Sequence, residues 1–318
     1  MSVVSEISSL TDFIKKFIEF DHVETIKEGG SDRAFFRVFT PGGTYVLLKD
    51  SNAEDFNSFV EINNFYLEHG ISVPSLVYFS SEDGMALCED GGSLSLQAAV
   101  LQLLKTGDAE QITSLYKKVI DQLLKIQAIN VNKKIPDIIQ KRKFDYRHLR
   151  WESRYFQEKC ALLLFGIDTL NDKKINSELC RLAYEAVEEN PVIVHRDFQS
   201  QNILVKEDDI FIIDFQSARL GSPFYDIASL LKDPYVELPD TIHDILLNYY
   251  LEKVRETCSN AVKTKEEAYN SYNRIAIQRL MQALGAYGKL GVEKGKKEYL
   301  NYVTPALAIP VSYTHLRA

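Results

Sequence analysis

The segment Val194-His195-Arg196-Asp197-Phe198-Gln199-Ser200-Gln201-Asn202 runs into Ile203-Leu204-Val205, and twelve residues beyond Asn202 stands Asp214, in Ile212-Ile213-Asp214-Phe215-Gln216. The apolar runs Val192–Val194, Ile203–Val205 and Ile210–Ile213 read as short strands, the last two joined by the polar turn 206–209. A hairpin between Asn202 and Asp214 returns the chain to its starting point, so both side chains can face one ion. Phosphoryl transfer needs these groups. One carboxylate aims and deprotonates the attacking hydroxyl, and hard oxygen ligands hold Mg²⁺ against the phosphates. Asp197 supplies the first; Asn202 and Asp214 supply the second. Unrelated polar residues at strand ends would rarely meet this joint spacing.

The pattern H-R-D-x-x-x-x-N followed by D-F is the kinase catalytic set, and it predicts partners upstream. A lysine on a central strand should reach the phosphates of ATP, held by a glutamate on the following helix. Lys49 ends the run Val46-Leu47-Leu48-Lys49, and Glu61 lies in the next helical stretch, with Glu54 as its competitor. Glu28-Gly29-Gly30-Ser31-Asp32 would be the phosphate-covering turn, with Ser31 at the nucleotide. Met85–Asp90 would be the hinge whose backbone, around Glu89, meets the adenine.

Working outward, residues 34–40 and 44–49 are β-branched and aromatic runs around Pro41-Gly42-Gly43, a strong turn signal. Residues 53–69 show helical spacing, and 75–79 and 85–89 form a second hairpin around Glu82-Asp83-Gly84. After Gly91-Gly92 helical patterns dominate: 93–129, 145–165, 172–189, 224–232, 240–257, 264–289 and 293–307. The expected fold class is α+β and bilobal, protein-kinase-like. Residues 1–90 form a small antiparallel-sheet nucleotide-binding lobe, and 91–310 a large, mainly helical catalytic and acceptor lobe.

The 318 residues carry 37 Lys+Arg against 45 Asp+Glu, a net charge of −8, with 45% hydrophobic and 26% charged residues. That is globular composition, and its acidic balance disfavours a non-specific grip on nucleic acid or anionic membrane. No apolar run reaches membrane-span length, and Cys88, Cys160, Cys180 and Cys258 show no metal-ligand spacing. A reducing, cytoplasmic setting is expected. Residues 311–318, VSYTHLRA, resemble the translation of a sequencing-library adaptor and are set aside from the fold. Oligomeric state is not legible.

On these motifs the chain resembles the aminoglycoside phosphotransferase/choline kinase superfamily, kinase-like enzymes acting on small molecules. No A-P-E follows Asp214, D-F-Q replaces D-F-G, and GSPFYDIASLL (221–231) follows at once, without an activation loop. HRDFQSQN, IDFQSARLGSPFYDIASLLKD (213–233) and IQRLMQALGAYGKLGVEKGKKEYL (277–300) are similar to the N-acetylmuramate/N-acetylglucosamine 1-kinases of cell-wall recycling. The resemblance implies ATP and Mg²⁺, an amino-sugar acceptor, and support of the catalytic loop by His195, Arg196 and Asp226. Aminoglycosides, choline, or a nucleotide-binding pseudokinase role are the alternatives. For the acceptor, Trp151 could stack on a sugar and Glu152 could bind its hydroxyls, though an amphipathic helix with Trp151 in the core fits the pattern equally. Gln199 and Gln216 could read a neutral acetylated sugar.

Overall fold

The computed structural model describes residues 10–26, 33–257 and 264–309. Ser31, with the rest of the expected phosphate-covering turn, lies outside the described residues, as do Cys258 and the segment 311–318.

Five strands form one antiparallel sheet in the order β1-β2-β3-β5-β4: β1 His22–Ile26, β2 Ala34–Thr40, β3 Gly43–Lys49, β4 Leu76–Ser80 and β5 Met85–Glu89. Period-2 alternation divides its side chains between two apolar clusters. Leu47, Met85 and Leu87 pack with Val38 against Leu10, Phe13 and Ile14 of a short helical segment. Leu48, Ala86 and Cys88 face the opposite way, into the cluster shared with the helices. Gly84 makes the β4–β5 turn at φ +61, where an added Cβ would lie 2.3 Å from the carbonyl oxygen of Asp50, so only glycine fits. Helix α1 (Ala53–Glu68), capped by Asn52, covers that inner face with Phe56, Phe59, Ile62 and Tyr66.

The pattern over 93–129 resolves into three pieces. Strand β6 (Leu94–Ser95) is followed by α2 (Leu96–Thr106) and α3 (Ala109–Gln127), because Gly107 takes a left-handed cap and Asp108 caps the next helix. Then come α4 (Asp137–Lys141), α5 (Tyr146–Phe156), which widens into a π-type turn over Gln157–Leu162, and α6 (Lys173–Glu185). Strands β7 (Val192–Val194), β8 (Ile203–Lys206), β9 (Asp209–Ile212) and β10 (Arg219–Gly221) form two small sheets, β10-β7 and β6-β8-β9. Helices α7 (Phe224–Leu231), α8 (Asp240–Thr257), α9 (Lys265–Gly288) and α10 (Val303–Ala308) complete the chain. Where α9 crosses the π-type turn, Gly288 lets the backbones touch: a Cβ there would lie 2.0 Å from the carbonyl oxygen of Lys159. No helix among the described residues is long and apolar enough to cross a membrane.

Candidate active site

The loop between β7 and β8 curls on its own backbone. The Gln199 N–H donates to the Asp197 carbonyl at 2.9 Å, and the Asn202 N–H donates to the Gln199 carbonyl at 2.9 Å. The Asn202 amide Nδ2 donates to the Asp197 carbonyl at 2.8 Å. Two buried carboxylates anchor the loop from below. Asp226, in the first turn of α7 and 0% exposed, accepts the N–H of His195 at 2.6 Å and that of Arg196 at 2.9 Å. Asp233 accepts the Ser200 N–H at 2.8 Å and its hydroxyl at 2.6 Å. The anchoring is needed because Arg196 sits at φ +82, in the sparsely populated left-handed region. Burial is also costly for Asp226 itself and pushes its carboxyl up to about 7, against the lowering effect of the two N–H groups.

Asp197 faces outward with its side chain 27% exposed. Arg196 Nη1 stands 3.8 Å from one carboxylate oxygen and Arg279 Nη2 stands 4.0 Å from the other. Burial would raise this carboxyl. Arg196, Arg279 and Arg219 outweigh it and hold the group below the usual carboxylate range, so it is ionised at neutral pH and ready to accept a proton. His195 is fully buried, its Nε2–H donating to the carbonyl of Ile213 at 3.0 Å, and burial pushes its pKa down. It therefore ties the two halves of the site as a neutral ring. Arg279 is itself buried and fixed by Ser229 Oγ at 2.7 Å and Gln282 Oε1 at 2.6 Å.

The β8–β9 hairpin brings Asp214 back to the loop: the Ile213 N–H donates to the Asn202 carbonyl at 3.0 Å. Asp214 is exposed at φ +64, and its Oδ1 accepts the Gln216 amide Nε2 at 2.8 Å. The next residue, Phe215, is 1% exposed and lies under α1, 5.4 Å from the ring of Phe59 and 5.6 Å from that of Tyr66. With its nitrogen engaged by Asp197, Asn202 has only Oδ1 to offer. The set is thus one carboxylate and one amide oxygen, hard donors that fit Mg²⁺ and leave positions for phosphate oxygens.

A carboxylate in a loop, an asparagine five residues on and an aspartate at the end of the following hairpin are the groups that phosphoryl transfer calls for. Residues 22–259 match the phosphotransferase enzyme family. The chain belongs to that family. Among curated relatives, this phosphotransferase is 25% identical over 279 residues to the N-acetylmuramate/N-acetylglucosamine kinase of Pseudomonas aeruginosa, covering 86% of this chain and 79% of the relative. It is 23% identical over 270 residues to the enzyme of that name from Neisseria meningitidis, covering 84% and 78%. Solved structures share its fold. The choline kinase LicA of Streptococcus pneumoniae superposes with a TM-score of 0.63 at 16% identity, covering 96% of this chain and 98% of that one. An ADP-bound aminoglycoside phosphotransferase superposes with a TM-score of 0.59 at 16% identity, covering 95% and 96%. The kinase-like α+β fold expected from the catalytic loop is the fold found.

The other expected residues of this phosphotransferase sit as follows. Lys49 is half-buried at the end of β3, between Ala34 and Met85 on the neighbouring strands. Glu61 and its competitor Glu54 are exposed on α1, and neither pairs with Lys49 among the described residues. The carboxylate beside Lys49, Asp50, is instead taken by Arg33 at 2.6 Å, both buried. Glu89 is turned to Ser75: its N–H donates to the Ser75 carbonyl, and its carboxylate accepts the Ser75 N–H and hydroxyl. Its neighbour Asp90 pairs with Arg37 at 2.8 Å, while the Asp90 carbonyl accepts Lys206 at 2.9 Å, clasping β2 and β8 to the end of β5.

On α5, Trp151 is 49% exposed, not in the core, and stacks on Tyr155 at 5.2 Å. Glu152 corrects the expectation of a sugar contact. It is 0% exposed, accepts the Tyr225 hydroxyl at 2.9 Å and the Gln278 amide at 3.3 Å, and burial pushes it up to about 7. Such a carboxylate cannot reach a ligand; it organises α5, α7 and α9. Gln199 and Gln216 are both half-buried beside the two aspartates, and the Oε1 of Gln216 is buried without a protein partner. Arg219 and Asp233 lie within the family-like segment 213–233 and Arg279 within 277–300, but nothing in the local sequence assigns any of the three a place at the catalytic loop.

Proposed function

We propose that the protein transfers the γ-phosphoryl group of ATP to a hydroxyl of an N-acetylated amino sugar, the anomeric one being favoured. The observation that carries this reading is the outward-facing, ionised Asp197, held on a loop that two buried aspartates anchor beside Asn202 and Asp214. A sugar hydroxyl is almost wholly protonated at neutral pH, and Asp197 is placed to aim it and take its proton as the new O–P bond forms. Mg²⁺ held by Asn202 and Asp214 would neutralise phosphate charge. Lys49 lies at the strand end where a nucleotide phosphate contact is expected, and Trp151 with Tyr155 offers a flat aromatic surface of the kind sugars stack on. The names of the curated relatives support the amino sugar over choline or an aminoglycoside.

The test is ADP release with MgATP against N-acetylmuramate, N-acetylglucosamine, choline and kanamycin. Turnover confined to the amino sugars is expected. Turnover on kanamycin or choline alone would move the acceptor while sparing the kinase chemistry. Thermal stabilisation by MgATP without turnover on any acceptor would make the protein a nucleotide-binding regulator.

A further inference from the structure

Beside the catalytic turn lies a hollow of about 520 Å³ lined by Lys141, Arg142, Lys143, Asp145, Arg147, His148 and Arg219. Five of the seven are permanent cations, in a chain whose net charge is −8. Among the described residues no carboxylate pairs with any of the five. Asp145, the acid present, is engaged as the N-cap of α5, accepting the His148 N–H at 2.8 Å. His148 adds no compensation: burial, then Arg219 and Arg196, push it down to about 4, so it is neutral and accepts Arg219 Nη1 at 3.1 Å. Arg219, 8% exposed, is pushed down to about 10 by burial and by Arg196. The crowding of like charge is thus a property of the site as built.

The lining of the hollow is tied to the turn that follows Asp214. Arg142 Nη1 donates to the Gln216 carbonyl at 2.7 Å, and Arg219 Nε donates to that of Ser217 at 3.3 Å, both in the turn that follows Asp214. Its other wall, His148, lies 5.6 Å from the ring of Trp151. A sugar resting on Trp151 with a hydroxyl at Asp197 would therefore direct its remaining substituents toward these cations.

We propose that this hollow is an acceptor subsite for an anionic substituent, a carboxylate or phosphate ester carried away from the reacting hydroxyl. The enzyme then selects an acidic amino sugar over its neutral counterpart. The proposal rests on the sugar-kinase reading above and assigns its specificity to Lys141, Lys143, Arg147 and Arg219. Lys141, Lys143 and Arg147 are exposed, so a substituent meets them without a prior cost of burying charge, and Arg219, held by Ser217 and His148, adds a fixed guanidinium charge to the lining.

N-acetylmuramate and N-acetylglucosamine present the same ring, with and without a carboxylate. Wild type is expected to favour the acidic sugar by roughly tenfold or more in kcat/KM, the scale of a charge-assisted contact. In Lys141→Ala/Arg147→Ala, surface changes that leave the core untouched, the ratio of the two kcat/KM values should fall by about tenfold. Inorganic phosphate should compete with the acidic sugar, and less strongly in the double variant. A wild-type preference for the neutral sugar, or an unchanged ratio in the double variant, overturns the subsite. Phosphate that alters kcat on the neutral sugar also overturns it, by placing a separate effector there. Absence of turnover on either sugar overturns the sugar-kinase reading instead.

Discussion

Replacing Asp226 by asparagine should pull stability and activity in opposite directions. Burial lifts this carboxyl from 3.8 to about 7, so the folded state holds a proton that the unfolded chain has already released. The penalty is absent below about pH 3.8, grows as the pH rises, and is complete above about pH 7. About three units correspond to at most about 4 kcal/mol. Asparagine removes that penalty, but its NH₂ must oppose one of the two N–H groups of His195 and Arg196, at a cost of about 1–3 kcal/mol. At pH 8 the variant should therefore be more stable than wild type by about 1–3 kcal/mol, and at pH 5 the advantage should shrink to about zero or reverse. Turnover should fall roughly 10- to 100-fold, because Arg196 is no longer held at φ +82 and Asp197 shifts with it. Denaturant unfolding of both proteins at pH 5 and 8, with turnover at pH 8, measures each part. Parallel pH dependence in the two proteins would refute the buried ionisation, and full activity would refute the anchoring role.

Asp197→Asn keeps the shape but cannot accept a proton; kcat should fall roughly 10²–10⁴-fold with nucleotide affinity nearly unchanged, as steady-state kinetics and nucleotide titration will show. Asp214→Ala should abolish Mg²⁺-dependent turnover while leaving the unfolding midpoint close to wild type, since the residue is exposed. Trp151→Ala should raise the acceptor KM several-fold without moving the KM for ATP, and equal effects on both would remove Trp151 from the acceptor surface. Gly288→Ala should destabilise the fold by about 3 kcal/mol, because its new methyl meets backbone in the π-type turn and not a side chain that can yield; thermal unfolding checks it.

The catalytic loop was legible because its parts are local: a short strand, a loop and a hairpin fix Asp197, Asn202 and Asp214 within 18 consecutive positions. The sheet was legible for the same reason, hairpin by hairpin. What escaped depends on contacts between distant segments. Glu152 shares a helix with the exposed Trp151, and only Tyr225 and Gln278, arriving from α7 and α9, bury it. Arg279 reads as a surface cation until Ser229 and Gln282 enclose it. Arg219 lies on β10, whose three residues are too few to show a period. The basic hollow escaped for the same reason: Lys141-Arg142-Lys143 are contiguous, but Arg219 joins them only because Lys143 bridges Leu220 in the fold.

The lodging of Phe215 bears on how such an enzyme can be controlled. Only residues 215–223 separate Asp214 from α7, and Phe215 is held against Phe59 and Tyr66. Swinging Asp214 out of the site would drag that ring into water. Exposing about 200 Å² of aromatic surface costs about 5 kcal/mol, which leaves fewer than about one molecule in a thousand in the displaced state. The two aspartates proposed for catalysis therefore stand assembled at rest. A control that worked by withdrawing Asp214 would have to meet that cost in every molecule it switched off.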